Sequence, residues 1–364
     1  MRKTGFDLQF FAGAGSNVNA SDSMVNAYTG ASTPRTDANA MEHELKVFYD
    51  TELLENASPK MLYGQLGVRQ PLPENHGDTV EWRRFNTFPC ADKLQEGVIP
   101  EGKDMGTSKI VGTVEQYGIY TTVTDRLEMH ACDDLILAAA RELGNSAAKT
   151  GEALIRNALL TGTNVLYCDN VDLSTGASVG TPTSCAEMEA SATRMSKLTP
   201  EMVNKAATIL RKNNAPGFAD NLYVAVIHPS VAYDFKNCPA WQKANEHTKA
   251  VFKGEIGTLY GVRFIENPFA PVLRTVGETD YSNKAGGATY ASYFFGFGSY
   301  GIVDPEGGGL EMVIHDKGEI GGPLNQFSTI GYKLETNGAS ILYPERILRV
   351  MSCSSFSATD ESNY

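Results

Sequence analysis

The chain has 364 residues, of which 42% are hydrophobic and 9% aromatic, enough apolar material for two packed domains. Its formal net charge is −12 and its largest basic cluster is Arg83-Arg84, which argues against binding nucleic acid by phosphate neutralisation. The longest apolar runs, such as LILAAA and YVAVI, are far too short to span a bilayer, so no membrane role is expected.

Residues 1–40 are poor in apolar side chains apart from Phe6, Leu8, Phe10 and Phe11 near the front. Alone, such a segment cannot offset its ordering entropy, so neighbouring copies of the chain are expected to hold it, and likewise the polar tail SSFSATDESNY. Arg2 and Lys3 precede Phe10-Phe11-Ala12, but Asp7 and Gln9 interrupt the apolar stretch. It is too short for a signal peptide, and the chain is expected to be made in the cytoplasm. Met41, Leu45, Phe48, Tyr49 and Leu53 predict an amphipathic helix over 41–56, ended by Ser58-Pro59.

Two long segments follow, DTVEWRRFNTF and KIVGTVEQYGIYTTVTD, both rich in β-branched and aromatic residues. The connection CADKLQEGVIPEGKDMGTS reads as an exposed tip, so the pair forms a ribbon reaching on the order of 30–40 Å and leaning on another protein. Asp125 and Glu128 have the spacing of a capping box, and Thr161-Gly162 supplies a stop. Between them Leu127, Leu135, Ala139, Leu143, Ala147, Leu154 and Ala158 recur at helical spacing, predicting a rod of about 50 Å. Gly144 and Gly151 are its weak points, and a break at Gly144-Asn145 into two core helices is the alternative.

The polar stretch from Asn164 to Ser184 reads as a surface insertion. Thr199 as N-cap and Pro200 in the first turn open a helix through Met202, Val203, Ala206, Ile209 and Leu210, which stops before Pro216-Gly217. NLYVAVIHP reads as a buried strand and PSVAYDFK as a short helix opened by Pro229. LYGVRFIEN, TYASYFFGF, GLEMVIHD, FSTIGYKLETNGASILY and ERILRVM read as strands, giving an α+β chain without internal repeats.

Chemical motifs are sparse. Gly296-Phe297-Gly298-Ser299-Tyr300-Gly301 fits G-x-G-x-x-G, but IVDPEGGGLEMVIHD follows it, and Pro305 with three glycines forbids the helix that a dinucleotide site requires. His43, His76, His130, His228, His247 and His315 show no metal-ligand spacing, and Asp169, Asp172 and Ser174 fail the calcium-loop pattern. Glu96 and Glu101 sit on a solvated tip rather than in a pocket that could make them an acid/base pair. The cysteines Cys90, Cys132, Cys168, Cys185, Cys238 and Cys353 are scattered and expected to be reduced. No catalytic residue, cofactor or metal is assigned.

TVEWRRFNTF, LQEGVIPEG and VTDRLE, in that order, then IRNALLTGTNVLY, HPSVAYDFK, GEIGTLYGVRFIENP, YFFGFGSYGIVD and YPERILRV resemble the major capsid proteins of tailed bacteriophages, within them the N4-like podovirus family. The opening FDLQFFAG is similar to the start of capsid proteins from phages of Gram-positive hosts. The resemblance implies the tailed-phage major capsid fold, shared with encapsulins and the herpesvirus capsid floor. It has an N-terminal arm, an extended β-loop, a peripheral domain with a long spine helix, and an axial domain. Carried over, residues 1–58 are the arm, 59–75 a connection, 76–123 the extended loop and 124–198 the peripheral domain with the spine. Residues 199–270 are then mainly axial, and 271–364 hold the remaining axial strands and the return to the peripheral domain.

The implied function is self-assembly into hexamers and pentamers of an icosahedral shell around double-stranded DNA. The partners would be further copies, portal, scaffolding and decoration proteins, and DNA held without sequence specificity; the place is the virion capsid, after assembly in the host cytoplasm. Phe6, Phe10 and Phe11 of the arm and Trp82, Phe85 and Phe88 of the loop are the expected intersubunit anchors. An encapsulin-like compartment around an enzyme, and a nucleotide-binding α/β enzyme, are the alternatives.

Overall fold

The computed structural model describes residues 62–73, 77–86, 102–130, 135–218, 221–239, 241–242, 255–274, 281–306, 309–316 and 326–357, with single positions in the remaining loops and the tail. The helix expected over 41–56, and Phe6, Phe10 and Phe11, lie outside the described residues.

In chain order, helix α1 (Tyr63–Leu66) leads into β1 (Val68–Leu72), β2 (Thr79–Phe85), β3 (Thr107–Thr113) and β4 (Glu115–Thr124). Helices α2 (Asp125–His130) and α3 (Leu135–Leu160) follow. Next come β5 (Val165–Tyr167), β6 (Asn170–Asp172), β7 (Ser178–Gly180), β8 (Arg194–Met195), α4 (Pro200–Lys212), β9 (Tyr223–Ile227) and α5 (Pro229–Lys236). The remainder is strand: β10 (Glu255–Leu259), β11 (Val262–Glu266), β12 (Val272–Leu273), β13 (Thr289–Phe295), β14 (Tyr300–Pro305), β15 (Leu310–His315), β16 (Phe327–Thr336), β17 (Ser340–Ile341) and β18 (Ile347–Ser352).

The chain divides into two compact units. The larger, Met61–Glu115, Thr150–Gly307 and Thr336–Tyr364, is built on a sheet ordered β10-β11-β9-β13-β18-β5, with β12 also paired to β13. Strands β9 and β13 are buried along their whole length, which is why YVAVI and TYASYFF read as apolar runs rather than alternating strands. The pleat of β13 sends Tyr290 and Phe294 into one core with Val203, Leu210 and Phe235 of α4 and α5, and with Phe264. Ala291, Tyr293 and Phe295 enter a second core with Tyr63, Ile155, Leu159 and Tyr300. Each fully buried Phe contributes roughly 1.5–3 kcal/mol. Thr199 Oγ1 accepts from the Met202 N–H at 3.4 Å and Pro200 occupies the first turn, so α4 starts where its sequence signals place it.

The smaller unit takes its described residues from Gln116–Lys149 and Gly308–Glu335. Its sheet is ordered β15-β16-β4. Strands β15 and β16 are antiparallel, from Leu310 opposite Leu334 to His315 opposite Thr329. Met312, Ile330, Tyr332 and Leu334 from this sheet pack with Ala140, Leu143 and Ala147 of α3.

Several sequence expectations need correction. The segment from Lys109 to Asp125 is two strands: β3 pairs with β2, and after Val114 the chain becomes β4 of the three-stranded sheet. At the start of α2 the Thr124 Oγ1 accepts from the Leu127 N–H at 3.4 Å. Residues 131–134 of the expected rod lie outside the described residues, with α2 and α3 on either side of them; α3 is 26 residues long, or about 39 Å, and runs unbroken through Gly144 and Gly151, against the alternative break at Gly144-Asn145. LYGVRFIEN is the end of a hairpin, because Tyr260 (φ 52) and Gly261 (φ 81) make a two-residue turn between Leu259 and Val262. The 164–184 stretch is not wholly a surface insertion: β5 pairs in parallel with β18, and Cys168 is fully buried.

The C-terminal tail was expected to depend on neighbouring copies, yet it is fastened to its own chain. Ser355 donates from its backbone N–H and its hydroxyl to Asp234 of α5, the first at 2.7 Å. The Tyr290 hydroxyl donates to Asp360 at 2.6 Å, and Asn363 accepts from the Val272 N–H at 2.9 Å and donates to Ala270 O at 3.0 Å.

Candidate assembly surface

The ribbon is an uninterrupted ladder from Thr79 opposite Thr113 to Phe85 opposite Thr107. It is extended at one end by Asn86 N–H to Gly106 O (2.9 Å) and at the other by Val114 N–H to Asp78 O (2.8 Å). Alternation along β2 sends Val80, Trp82 and Arg84 to one face and leaves Glu81, Arg83 and Phe85 exposed.

The Trp82 face rests on its own chain. A Cβ at Gly301 would lie 2.9 Å from the indole Cζ2, and one at Gly112 would lie 2.7 Å from Cζ3, so two glycines make room for the ring. Arg84 bonds Glu345 at 2.8 Å and sits over the Tyr343 ring at 5.1 Å. The Glu345 backbone N–H and the Arg84 guanidinium hold the Glu345 carboxyl below its ordinary range. Trp82 is therefore half-buried within the chain, whereas Phe85 and Phe88 are 59% and 53% exposed. Of the three loop aromatics, two are free to meet another surface.

The glycine string at 296–301 joins β13 to β14 as a strand-to-strand turn, with Gly298 at φ 70. Its amides serve the chain itself: Gly296 N–H bonds Arg346 O and Phe297 N–H bonds Pro216 O, each at 2.8 Å. They are not directed at a phosphate. His228 Nδ1 accepts from the Ser230 N–H at 3.2 Å at the start of α5, its ring 5.1 Å from that of Tyr290. Asp172 accepts from the Ser174 backbone N–H and hydroxyl within its own turn, at 2.8 and 2.6 Å. Cys90, Cys168, Cys185, Cys238 and Cys353 are not in disulfides, and among the described residues no group of His, Cys, Asp and Glu side chains could hold a metal ion. No described helix is long and apolar enough to cross a membrane.

Two charged residues that belong to no sequence motif are buried in the larger unit. Glu152 and Arg156 of α3 are 1% and 4% exposed. Glu152 Oε1 accepts from the backbone N–H groups of Leu62 and Tyr63, the latter at 3.2 Å. Burial raises its pKa to about 7, against the opposing pull of those N–H groups and of Arg156. Arg156 donates to the carbonyls of Phe269 (3.5 Å) and Asn363. The sequence did hold a signal: Glu152 lies on the apolar stripe Ala148, Ile155, Leu159, where a helix places its core-facing residues.

The sequence matches a family described as phage capsid protein over residues 107–339. No curated protein matches it. Among solved structures, the capsid of the cyanophage P-SCSP1u is 15% identical, covering 81% of this chain and 89% of that one with a TM-score of 0.55. The capsid of Ralstonia phage GP4 is 12% identical over 83% of this chain and 93% of that one, with a TM-score of 0.56. The acidic stable capsid of Helicobacter pylori bacteriophage KHP30 is 10% identical over 97% and 99%, with a TM-score of 0.53. At these identities the likeness is one of fold, and it extends over most of each chain.

Proposed function

The chain belongs to the phage capsid protein family and is a structural protein of a viral capsid, and from that premise we propose that it is the major capsid protein of an N4-like podovirus. The family match over residues 107–339 carries the reading, since it runs from the second ribbon strand to the end of β16. Identical chains close into hexamers and pentamers around double-stranded DNA. The net charge of −12 suits a container that confines DNA under counterion screening rather than gripping it.

In this reading the arm is 1–58, the extended loop is the ribbon with its connecting segment, the spine is α2 and α3, and 199–270 is mainly axial. Phe85 and Phe88 dock on a neighbouring copy, and Phe6, Phe10 and Phe11 tie adjacent capsomers. Many modest contacts become strong through closure, because each further contact forms at high effective concentration. Portal, scaffolding and decoration proteins are the further partners, and assembly takes place in the host cytoplasm.

Negative-stain microscopy and sedimentation of the expressed protein test the proposal. Closed shells are expected; a small species that binds nucleotide tightly would sink it, and shells that co-purify with an enzyme would point to a compartment instead of a virion.

A further inference from the structure

Leu62 and Tyr63 open the first described stretch of the chain, and the Glu152 carboxyl holds both of their backbone N–H groups. That carboxyl is almost fully buried, yet no ion pair joins it to Arg156, one turn along α3, whose guanidinium is directed to Phe269 O, Asn157 Oδ1 and Asn363 O. Two amide donors and the nearby but unbonded charge of Arg156 stabilise an ionised carboxylate only in part, and an ionised group removed from water stays costly.

We propose that Glu152 is a proton-operated latch on the chain at Leu62–Tyr63, closed most firmly when its carboxyl is neutral and opening more readily once it is ionised. Opening returns the carboxylate to water, which relieves the cost of its charge, and frees the backbone of Leu62 and Tyr63 at the start of α1.

The surrounding groups leave Glu152 as the one that changes charge near neutral pH. On its own helix stands Arg156, lowered by burial from its ordinary value. From α1 and β14, Tyr63 and Tyr300 face it, both raised well above 10.0 by burial, and Tyr293 of β13, beside Arg349 of β18, is raised as well. The Tyr300 hydroxyl also donates to Tyr63 O at 2.6 Å, an independent fastening that does not titrate in this range. The latch needs no partner chain, so it stands apart from the shell reading.

Hydrogen exchange of the peptide covering Leu62–Leu66, measured from pH 5 to 8 and corrected for intrinsic rates, reads the opening directly. In the wild type the opening constant is expected to rise by up to about tenfold per pH unit between about 5 and 7, and then to level off. Glu152→Gln retains an acceptor for both N–H groups but cannot ionise, and its profile is expected to be flat. Tyr300→Phe is expected to raise opening at every pH while keeping the slope. A β13 peptide serves as the control, since general destabilisation would move it too. A flat wild-type profile, or equal slopes in the wild type and Glu152→Gln, would overturn the proposal.

Discussion

Glu152 and Arg156 stand one helical turn apart on α3 and do not pair with each other; Glu152 binds the chain at Leu62–Tyr63 and Arg156 binds it at Asn363. An i, i+4 Glu–Arg pair on a helix surface would ordinarily form a weak ion pair. Here burial directs each side chain to a backbone group, and a single turn of α3 fastens segments near both ends of the described chain. Arg156→Met should leave the Phe269 and Asn363 carbonyls without their donor and Glu152 without its nearby positive charge, at a cost of about 2–4 kcal/mol. Urea denaturation reads the loss, and carboxypeptidase should remove the tail faster than in the wild type. An unchanged midpoint would show the two bonds to be incidental.

The pH dependence of global stability follows from the same carboxyl. Its folded pKa is raised to about 7, above an unfolded value of about 4.3, so between those limits the folded chain keeps a proton that the unfolded chain has released. The contribution of Glu152 is therefore fully present below about 4.3 and is lost as pH rises to about 7. The full span is on the order of 3 kcal/mol. His228, lowered by burial, acts with the opposite sign, so the difference between the wild type and Glu152→Gln is the quantity to follow. In urea titrations, Glu152→Gln should gain on the wild type by roughly 1–3 kcal/mol between pH 5 and 8. A constant difference across that range would refute the sign.

Much of the larger unit was legible because its signals are local. Thr199-Pro200 and Pro229 set helix starts, and the runs YVAVI and TYASYFF are apolar because the strands are covered on both faces. The break at Val114 was not legible: β-branched and aromatic residues continue through it, and only the choice of partner strand changes there. The Tyr260-Gly261 turn was hidden because Tyr is an unfavourable turn residue. Glu152 and Arg156 were hidden because their partners are backbone groups remote in sequence, which no spacing motif records.

The fit of Trp82 to its glycines predicts a steric effect. At Gly112 an added methyl meets the indole at 2.7 Å and the Asn337 amide at 2.8 Å, and Gly112 is buried. Gly112→Ala should displace the ring and cost about 1–3 kcal/mol. In a Trp241→Phe background, the emission of Trp82 should shift to the red; emission unchanged from the parent would mean that the ribbon absorbs the methyl elsewhere.

Phe85 and Phe88 separate folding from assembly. Both are exposed within the subunit, so Phe85→Ser with Phe88→Ser should change subunit stability by no more than about 0.5 kcal/mol. If they dock on a neighbouring copy, the yield of closed shells should fall sharply at equal protein concentration. Thermal melts of the unassembled subunit and counts of closed particles by microscopy make the comparison. Normal closure by the double variant would remove these two residues from the interface.

Tyr260 tests whether strain at a turn is offset locally. It holds φ 52, a conformation costing a non-glycine residue about 1–2 kcal/mol, and Arg211 Nη2 donates to its carbonyl at 2.6 Å. Asn is at ease in this region, so Tyr260→Asn should stabilise the hairpin by roughly 0.5–1 kcal/mol. Gly261→Ala should do the reverse, because its φ is 81 and the new Cβ would lie 2.8 Å from Arg211 Nη2. The pair of variants brackets the explanation: opposite shifts in denaturation midpoint are required. A loss of stability in Tyr260→Asn would mean that the tyrosine ring, 46% exposed, contributes more by packing than its backbone costs.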